Sequence, residues 1–179
     1  MELNEKALKK ETVYRGKKFD FCSDEVLLPN GDTAKRDYIA HPGGVTVAAL
    51  DENNELYFVR QFRYPYGRVI LELPAGTLEK GENPLDAGIR ELKEETGAVC
   101  SELFSLGEFY SSAGYSDEVI YLYYARVESV GAQELDEDEF INTVKIPLKK
   151  AVEMVLSNEI KDGKTQAAVL KLAAVMQNK

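Results

Sequence analysis

Short runs of β-branched, aromatic and aliphatic residues, separated by polar turn residues, make up most of the first two thirds of the chain. The Asn30-Gly31 step between two such runs is typical of a β-hairpin. The polar turn at 51–54 predicts a second hairpin in the same way. From these apolar patterns, the predicted strands cover residues 18–28, 33–41, 44–50, 55–62, 69–73, 103–110 and 119–127.

Helix signals occur in the centre of the chain and again near its end. Asn83 can cap a helix that has Pro84 at its first position and Gly97 just past its last. Together with the helical spacing of apolar residues downstream, this predicts helices at about 84–96, 148–156 and 165–176. The expected class is α+β with a mixed sheet, and the residues up to about 42 are candidates for a small separate sheet.

The composition is that of an ordinary folded chain, and its most informative feature is the net charge. Of 179 residues, 44% are hydrophobic and 30% charged, which is enough for a domain with a sizeable core. An excess of 31 Asp and Glu over 22 Lys and Arg gives a net charge of −9. This charge repels nucleic acid and anionic membrane surfaces, so neither is expected as a partner. No apolar run reaches the ~20 residues of a membrane span, and no secretion signal is evident, so we expect a cytoplasmic protein.

Cysteine and histidine are too few for several kinds of site. Cys22 and Cys100 have no CxxC partner, so the sequence indicates neither a disulfide framework nor a thiolate zinc site. His41 is the only histidine, which excludes a site with several histidines from one chain. Carboxylates therefore remain as the obvious residues for catalysis or metal binding.

Three glutamates on the predicted central helix share one face. Glu91, Glu94 and Glu95 stand at relative positions 0, 3 and 4, where like charges repel one another. Such a group is either solvated or holds a cation, and hard divalent ions such as Mg²⁺ suit clusters of oxygen ligands. Taken alone, a solvated acidic face is the commoner explanation.

The residues around these glutamates favour the metal-binding explanation. Residues 76–98 resemble the box of the Nudix hydrolase family, Gly-x5-Glu-x7-Arg-Glu-U-x-Glu-Glu-x-Gly-U, where U is apolar. Every defined position is filled, by Gly76, Glu82, Arg90, Glu91, Glu94, Glu95 and Gly97. The resemblance implies a mixed β-sheet sandwiched between helices and the hydrolysis of a nucleoside diphosphate linked to another group.

The same resemblance implies a role for each residue of the box. The metal ligands would be Glu91, Glu94, Glu95 and the carbonyl of Ala75, with Mg²⁺ as the ion and Mn²⁺ as a substitute. Glu94 is also counted among the catalytic residues. Structural positions in the motif would be Gly76, Glu82, Arg90 and Gly97, with Arg90 and Glu82 orienting the carboxylates.

Beyond the box, the chain is similar to the ADP-ribose pyrophosphatase branch of the family over nearly its full length. The similarity includes Gln61-Phe62-Arg63, the segment 72–76 and the segment 112–118. It implies cleavage of ADP-ribose to AMP and ribose 5-phosphate. Because members of this branch are homodimers that exchange N-terminal sheets, residues 1–42 are expected to form the dimerisation region and 43–179 the hydrolase domain.

Further site residues follow from the same similarity by position. Arg36 and Arg63 would contact the substrate, since planar guanidinium groups suit phosphate oxygens. Glu118 is a further candidate on the substrate side. The branch takes its catalytic base from a mobile loop that corresponds to the acidic run 134–139, where Glu139 is the first candidate and Glu137 the second.

Two alternatives remain open at this point. The branch carries a proline where this chain has Ala113, so another nucleoside diphosphate derivative is a possible substrate: an ADP-sugar, a dinucleoside polyphosphate or NADH. A Nudix module that senses ADP-ribose without cleaving it is the second alternative. The complete set of carboxylates argues against a sensor, because binding alone has no evident need for a costly charge cluster.

Overall fold

The computed structural model describes residues 3–177, which fall into two compact units. The first unit comprises the residues up to Gly43 together with Tyr110–Val119. The second unit comprises Gly44–Phe109 and the residues from Ile120 onward. Each unit contains its own sheet.

An antiparallel sheet forms the first unit. Its strands are β1 (Lys6–Lys9), β2 (Thr12–Arg15), β3 (Asp20–Leu27) and β4 (Thr33–Ala40). β4 pairs with β3 along its whole length, while β1 and β2 pair with successive parts of β3. The predicted N-terminal hairpin is confirmed, and Gly31 takes a φ of +90° at its turn. β1 and β2 were not predicted, because all their residues are exposed and show no apolar alternation.

The segment that contains Ala113 is bound to the end of β4. Ile39 donates its N–H to the carbonyl of Tyr115 at 2.8 Å and accepts the N–H of Asp117 at 3.2 Å. The N–H of His41 donates to Oδ1 of Asp117 at 2.8 Å. Because of these three bonds, residues far apart in the chain share one unit.

A mixed sheet forms the centre of the second unit. The remaining strands are β5 (Gly44–Leu50), β6 (Glu55–Arg63), β7 (Arg68–Glu72), β8 (Ala75–Thr77), β9 (Ala98–Val99), β10 (Phe104–Tyr110), β11 (Val119–Arg126), β12 (Ser129–Val130) and β13 (Ile141–Pro147). The main sheet has the order β10-β11-β5-β6-β13, with β7 beside β6 and β8 beside β5. β11 is parallel to β5, whereas β6 is antiparallel to both β5 and β13. β13 was not predicted, although it pairs with β6 over seven residues.

The helices agree closely with the sequence prediction. They are α1 (Pro84–Thr96), α2 (Leu148–Leu156) and α3 (Gly163–Gln177), with a short 3₁₀ helix at Tyr64–Tyr66. Asn83 caps α1 by accepting the N–H of Leu85 at 2.9 Å. Gly97 ends it with a φ of +72° and donates to the carbonyl of Lys93. Within residues 3–177, none of the helices has the length and apolar character to cross a membrane.

The two faces of β5 pack against different helices. Val45 and Val47 lie in one apolar cluster with Leu92 of α1. Leu50 lies in a second cluster that includes Leu172 of α3 and residues of α2. Alternate side chains of a strand point to opposite faces, so the sheet separates α1 from α2 and α3. The predicted α+β class with a sheet between helices is confirmed.

Candidate active site

A close approach between β8 and α1 brings the backbone of the predicted box together with its carboxylates. The N–H of Ala75 donates to Oε2 of Glu95 at 2.9 Å. A Cβ atom at residue 76 would lie only 1.9 Å from the carboxyl carbon of Glu91. Glycine at residue 76 therefore leaves room for that carboxylate, which a side chain at this position would displace.

The two carboxyl groups at this contact are withdrawn from water. Glu95 is only 3% exposed. Burial raises its pKa to about 8, and the neighbouring charges of Glu91 and Glu139 act in the same direction. Burial also raises the pKa of Glu91. Since burial penalises the charged form, a cation bound here would stabilise both carboxylates.

Arg90 connects the loop before α1 to the carboxylates on the helix. Its Nε and Nη2 donate to the two oxygens of Glu82 at 2.9 and 3.0 Å. Its Nη1 donates to Glu91 at 2.8 Å and to Glu94 at 3.0 Å. The hydrogen bond to Glu82 raises the pKa of Arg90, although burial opposes the shift. These bonds hold three carboxylates in fixed positions, which is the arrangement expected of an orienting arginine.

The predicted acidic loop brings Glu139 towards the same carboxylates. Glu139 is half-buried, and its charge contributes to the raised pKa values of Glu91 and Glu95. Glu137 is exposed. Of the two candidates for the base, Glu139 is therefore the one that the structure brings within electrostatic reach of the box.

This loop is bound to the C-terminal end of α1. Glu134 donates its N–H to the carbonyl of Glu94 at 2.9 Å. The side chains of Gln133 and Thr143 both donate to the carbonyl of Glu95, at 2.5 and 3.2 Å. The last carbonyls of a helix lack partners within the helix. The loop and Thr143 of β13 supply those partners, and they join the intervening segment that contains Glu139 to the helix of the carboxylates.

Arg63 lies in a buried network of charges. Its Nε and Nη2 donate to the two oxygens of Glu72 at 2.6 and 2.7 Å. Lys164 of α3 also donates to Glu72 and lies 3.0 Å from Asp162. Glu72 is 2% exposed, whereas the side chain of Arg63 is 39% exposed. Arg63 thus has one side fixed by Glu72 and another side accessible.

The other two predicted substrate contacts belong to the first unit, not to the unit of the box. Arg36 on β4 makes two hydrogen bonds to Glu5, at 2.9 and 2.5 Å. Oε1 of Glu118 lies 3.5 Å from Nδ1 of His41, which itself accepts the N–H of Gly43. Their contact with substrate stays a prediction.

Comparison with known proteins identifies the family. A profile of the NUDIX domain matches residues 40–168.

The chain belongs to the Nudix family. It is 41% identical to an ADP-ribose pyrophosphatase of Bacillus subtilis, over 98% of this chain and 97% of that protein. A methanol dehydrogenase activator of Bacillus methanolicus is 40% identical over the same shares. An ADP-ribose pyrophosphatase of Mycobacterium tuberculosis is 36% identical, over 92% of this chain and 81% of that protein.

The fold also matches that of a solved structure. The crystal structure of an ADP compounds hydrolase superposes with a TM-score of 0.84, covering 99% of this chain and 97% of the other. The two sequences are 20% identical, so this similarity is one of fold.

Nudix hydrolases generally use divalent metals, and the donor chemistry here fits such an ion. Glu91 and Glu95 place carboxylate oxygens, the preferred ligands of hard cations, at the partly dehydrated contact with β8. Within residues 3–177, no three acidic, histidine or cysteine side chains already stand together as a metal site. Arg90 occupies one oxygen each of Glu91 and Glu94. The assignment of Ala75, Glu91, Glu94 and Glu95 as ligands therefore stays a prediction.

Some residues around the site were not singled out by the sequence. Lys164 meets Glu72 across 92 positions of sequence, and Gln133 meets Glu95 across 38. A glutamate at the end of an apolar strand, such as Glu72, is a signal that a buried partner must exist. Nothing in the local pattern identifies that partner.

Proposed function

We propose that this Nudix hydrolase cleaves the pyrophosphate bond of ADP-ribose to give AMP and ribose 5-phosphate. The proposal is carried by the 41% identity, over nearly the full length of both chains, to a protein named ADP-ribose pyrophosphatase. The buried carboxylates of the box, held against β8, supply the chemistry that such a reaction needs.

We assign the divalent ion, Mg²⁺ with Mn²⁺ as a substitute, to Glu91, Glu94, Glu95 and the carbonyl of Ala75. When bound, the ion polarises phosphoryl oxygens and offsets the charge of the diphosphate. Arg90 and Glu82 keep the carboxylates oriented through their paired hydrogen bonds. Because the protein carries a net charge of −9, local positive charge is needed to admit an anionic substrate.

Glu139 is our candidate for the general base. A water molecule attacks one phosphorus of the pyrophosphate, a new P–O bond forms, and the bond to the bridging oxygen breaks. Glu139 accepts the proton of the water, and the bridging oxygen leaves with the second phosphate. The electrostatic proximity of Glu139 to Glu91 and Glu95 supports Glu139 as the base over the exposed Glu137.

Arg63 is our candidate for binding the diphosphate. Its guanidinium has five N–H donors, and contact with Glu72 leaves some of them for a phosphate oxygen. Arg36 and Glu118 of the first unit are assigned to the substrate by family resemblance.

We further propose a homodimer formed through residues 1–42. In support, Val13, Tyr14 and Phe19 are large apolar side chains of the first unit that are exposed in the single chain, and exposed apolar surface is typical of interfaces. Light scattering should then give twice the 20.0 kDa mass of the chain; a mass of 20.0 kDa at all concentrations would contradict the dimer. The cytoplasmic location expected from the sequence stays a prediction.

The function is tested by turnover of a substrate panel with and without Mg²⁺, with products separated by ion-exchange chromatography. The panel contains ADP-ribose, ADP-glucose, GDP-mannose, diadenosine polyphosphates and NADH. We expect Mg²⁺-dependent cleavage with the highest kcat/KM for ADP-ribose and with AMP as a product. A higher value for another compound would overturn the substrate, and tight ADP-ribose binding without any turnover would make the protein a sensor.

GDP-mannose belongs in the panel for a specific reason. A GDP-mannose pyrophosphatase of an Enterobacter species is 34% identical over 78% of this chain. The longer and stronger similarity to ADP-ribose pyrophosphatases favours ADP-ribose as the first candidate.

A further inference from the structure

The network around Glu72 joins three elements that are distant in sequence. Arg63 comes from the end of β6, Glu72 from the end of β7 and Lys164 from the first turn of α3. Oε2 of Glu72 accepts from both Arg63 and Lys164, while Oε1 accepts from Arg63 alone. The carboxylate is thus held on two sides, and we call these three residues the Glu72 cluster.

The cations of the Glu72 cluster differ in solvent exposure. The side chain of Lys164 is 12% exposed, against 39% for Arg63. Burial opposes the charge of Glu72, but the hydrogen bonds and charges of the two cations outweigh it and lower its pKa. A buried carboxylate that keeps its charge needs such partners. Lys164 is therefore the buried anchor, and Arg63 is the member that can reach a ligand.

A second set of bonds ties α3 to the strand that leads into the box. The hydroxyl of Thr165 accepts the N–H of Leu73 at 2.9 Å. The next residue, Pro74, accepts from the hydroxyl of Thr46 at 2.9 Å. Burial raises the pKa of Glu95, and the charge of Lys164 partly opposes this shift. The hydrogen bond to Glu72 raises the pKa of Arg63, and the charge of Glu95 adds to that shift. The first turn of α3 thus lies within electrostatic reach of the box.

We propose that Lys164 is a positioning residue for the reaction: by holding Glu72, it fixes the guanidinium of Arg63 in the orientation that binds the diphosphate of the substrate. This inference rests on the proposed function. The geometric reason is that a carboxylate bound only by Arg63 can rotate together with the guanidinium, whereas a carboxylate also bound by the buried ammonium cannot. Pre-orientation of a binding group lowers the cost of ordering it when substrate binds.

A double-mutant cycle tests the inference. Lys164→Met should raise KM for ADP-ribose about tenfold with a change in kcat of less than about threefold. The reason is that Arg63 then binds the diphosphate less tightly, whereas the carboxylates of the box are unchanged. In the background of Arg63→Ala, the same change should alter KM by less than about twofold, because the guanidinium that Lys164 orients is then absent. Lys164→Arg should restore most of the affinity, since a guanidinium can also donate to Glu72.

Lys171→Met is the matched control. Lys171 lies on the same helix, is exposed and donates to the carbonyl of Leu106 at 2.7 Å, but it is not among the hydrogen-bond partners of Glu72. We expect its KM to equal that of the wild type. If Lys164→Met does not fold, Lys164→Gln replaces it, because an amide keeps one hydrogen bond but not the charge, and the same cycle is measured.

Several outcomes would overturn the inference. One is an unchanged KM in the folded Lys164 variant. Another is an equal rise in KM in the wild-type and Arg63→Ala backgrounds, because Lys164 would then act on the structure in general and not through Arg63. The proposed function is judged separately from the wild type. Absence of ADP-ribose cleavage there refutes the function, whereas normal wild-type cleavage with an unchanged Lys164 variant refutes only the role of Lys164. If another nucleoside diphosphate is preferred, the cycle is run with that compound.

Discussion

Three glutamates that look equivalent in the sequence have different surroundings in the fold. Glu95 is buried against the N–H of Ala75, while Glu91 and Glu94 are partly exposed and share Arg90. The free energy of a buried charge depends on its partners, and Glu95 has no cationic hydrogen-bond partner among the described residues. At the scale of single residues, Glu95 is therefore the one that depends most on a bound cation.

Replacing Glu95 by Gln tests this dependence. We expect kcat to fall by at least about 100-fold, because a neutral amide is a weak ligand for Mg²⁺. In differential scanning calorimetry, Mg²⁺ should raise the unfolding midpoint of the wild type but not that of the variant, since only the native state binds the ion. Glu102→Gln, at an exposed carboxylate, should behave as the wild type. An undiminished response to Mg²⁺ in Glu95→Gln would remove this residue from the metal site.

The general base is a second residue-scale prediction. Glu139→Gln should lower kcat by about 10²- to 10⁴-fold, the usual contribution of general base catalysis, with little change in KM. Steady-state kinetics of Glu139→Gln and Glu137→Gln, measured side by side, separate the two candidates. If the loss appears in Glu137→Gln instead, the base is Glu137 and the proximity of Glu139 to the box has another purpose.

At the scale of elements, α1 is the part of the fold on which the site depends, and both its ends are bound. Asn83 caps its first turn. At its last turn, Gly97 has a φ of +72°, and its carbonyl accepts the N–H of Gly131 at 2.8 Å. A Cβ atom at residue 97 would lie 2.3 Å from the carbonyl oxygen of Gly131. Gly97 therefore serves both the helix end and the start of the loop that carries Glu139.

Gly97→Ala, compared with a control glycine, separates the cost of the positive φ from the cost of the contact with Gly131. A positive φ costs an alanine about 1 kcal/mol, and the clash with Gly131 should add to this, so we expect the free energy of unfolding to fall by about 2–4 kcal/mol. Gly67→Ala is the control, because Gly67 has a φ of +60° with nothing within 4 Å of the added atom. It should lose only about 1 kcal/mol in urea unfolding. Equal losses in both variants would mean that the contact with Gly131 does not matter.

At the scale of the whole molecule, stability in acid depends on carboxylates whose charge the fold stabilises. Asp51, 4% exposed, is the clearest case. Burial opposes its charge, but hydrogen bonds from Lys145 at 2.9 Å and from two backbone N–H groups outweigh burial and lower its pKa. These bonds connect the β5–β6 turn to β13. Because the unfolded chain binds the proton more readily, Asp51 stabilises the fold above its unfolded pKa of about 3.9.

This stabilisation should disappear in acid. As the pH falls from about 5 through the lowered folded pKa, the contribution of Asp51 to the free energy of unfolding is lost. Asp51→Asn should therefore be less stable than the wild type at pH 5 and should show a shallower fall in stability towards pH 3. Urea unfolding at several pH values measures both slopes. Glu52→Gln, at an exposed neighbour, should leave the pH dependence of the free energy of unfolding as it is in the wild type. If Asp51→Asn also shows the pH dependence of the wild type, Asp51 does not contribute this stability in acid.

Local patterns in the sequence determined the position of α1, the N-terminal hairpin and the box, because caps, turns and apolar periodicity act between residues close in the chain. Other features, such as β13 and the orientation of Arg63, depend on the tertiary structure. β13 exists through its pairing with β6, and Arg63 owes its orientation to Glu72, which in turn is held by Lys164 across 92 positions. Burial and the pairing of charges depend on which elements pack together, and no local pattern contains that information.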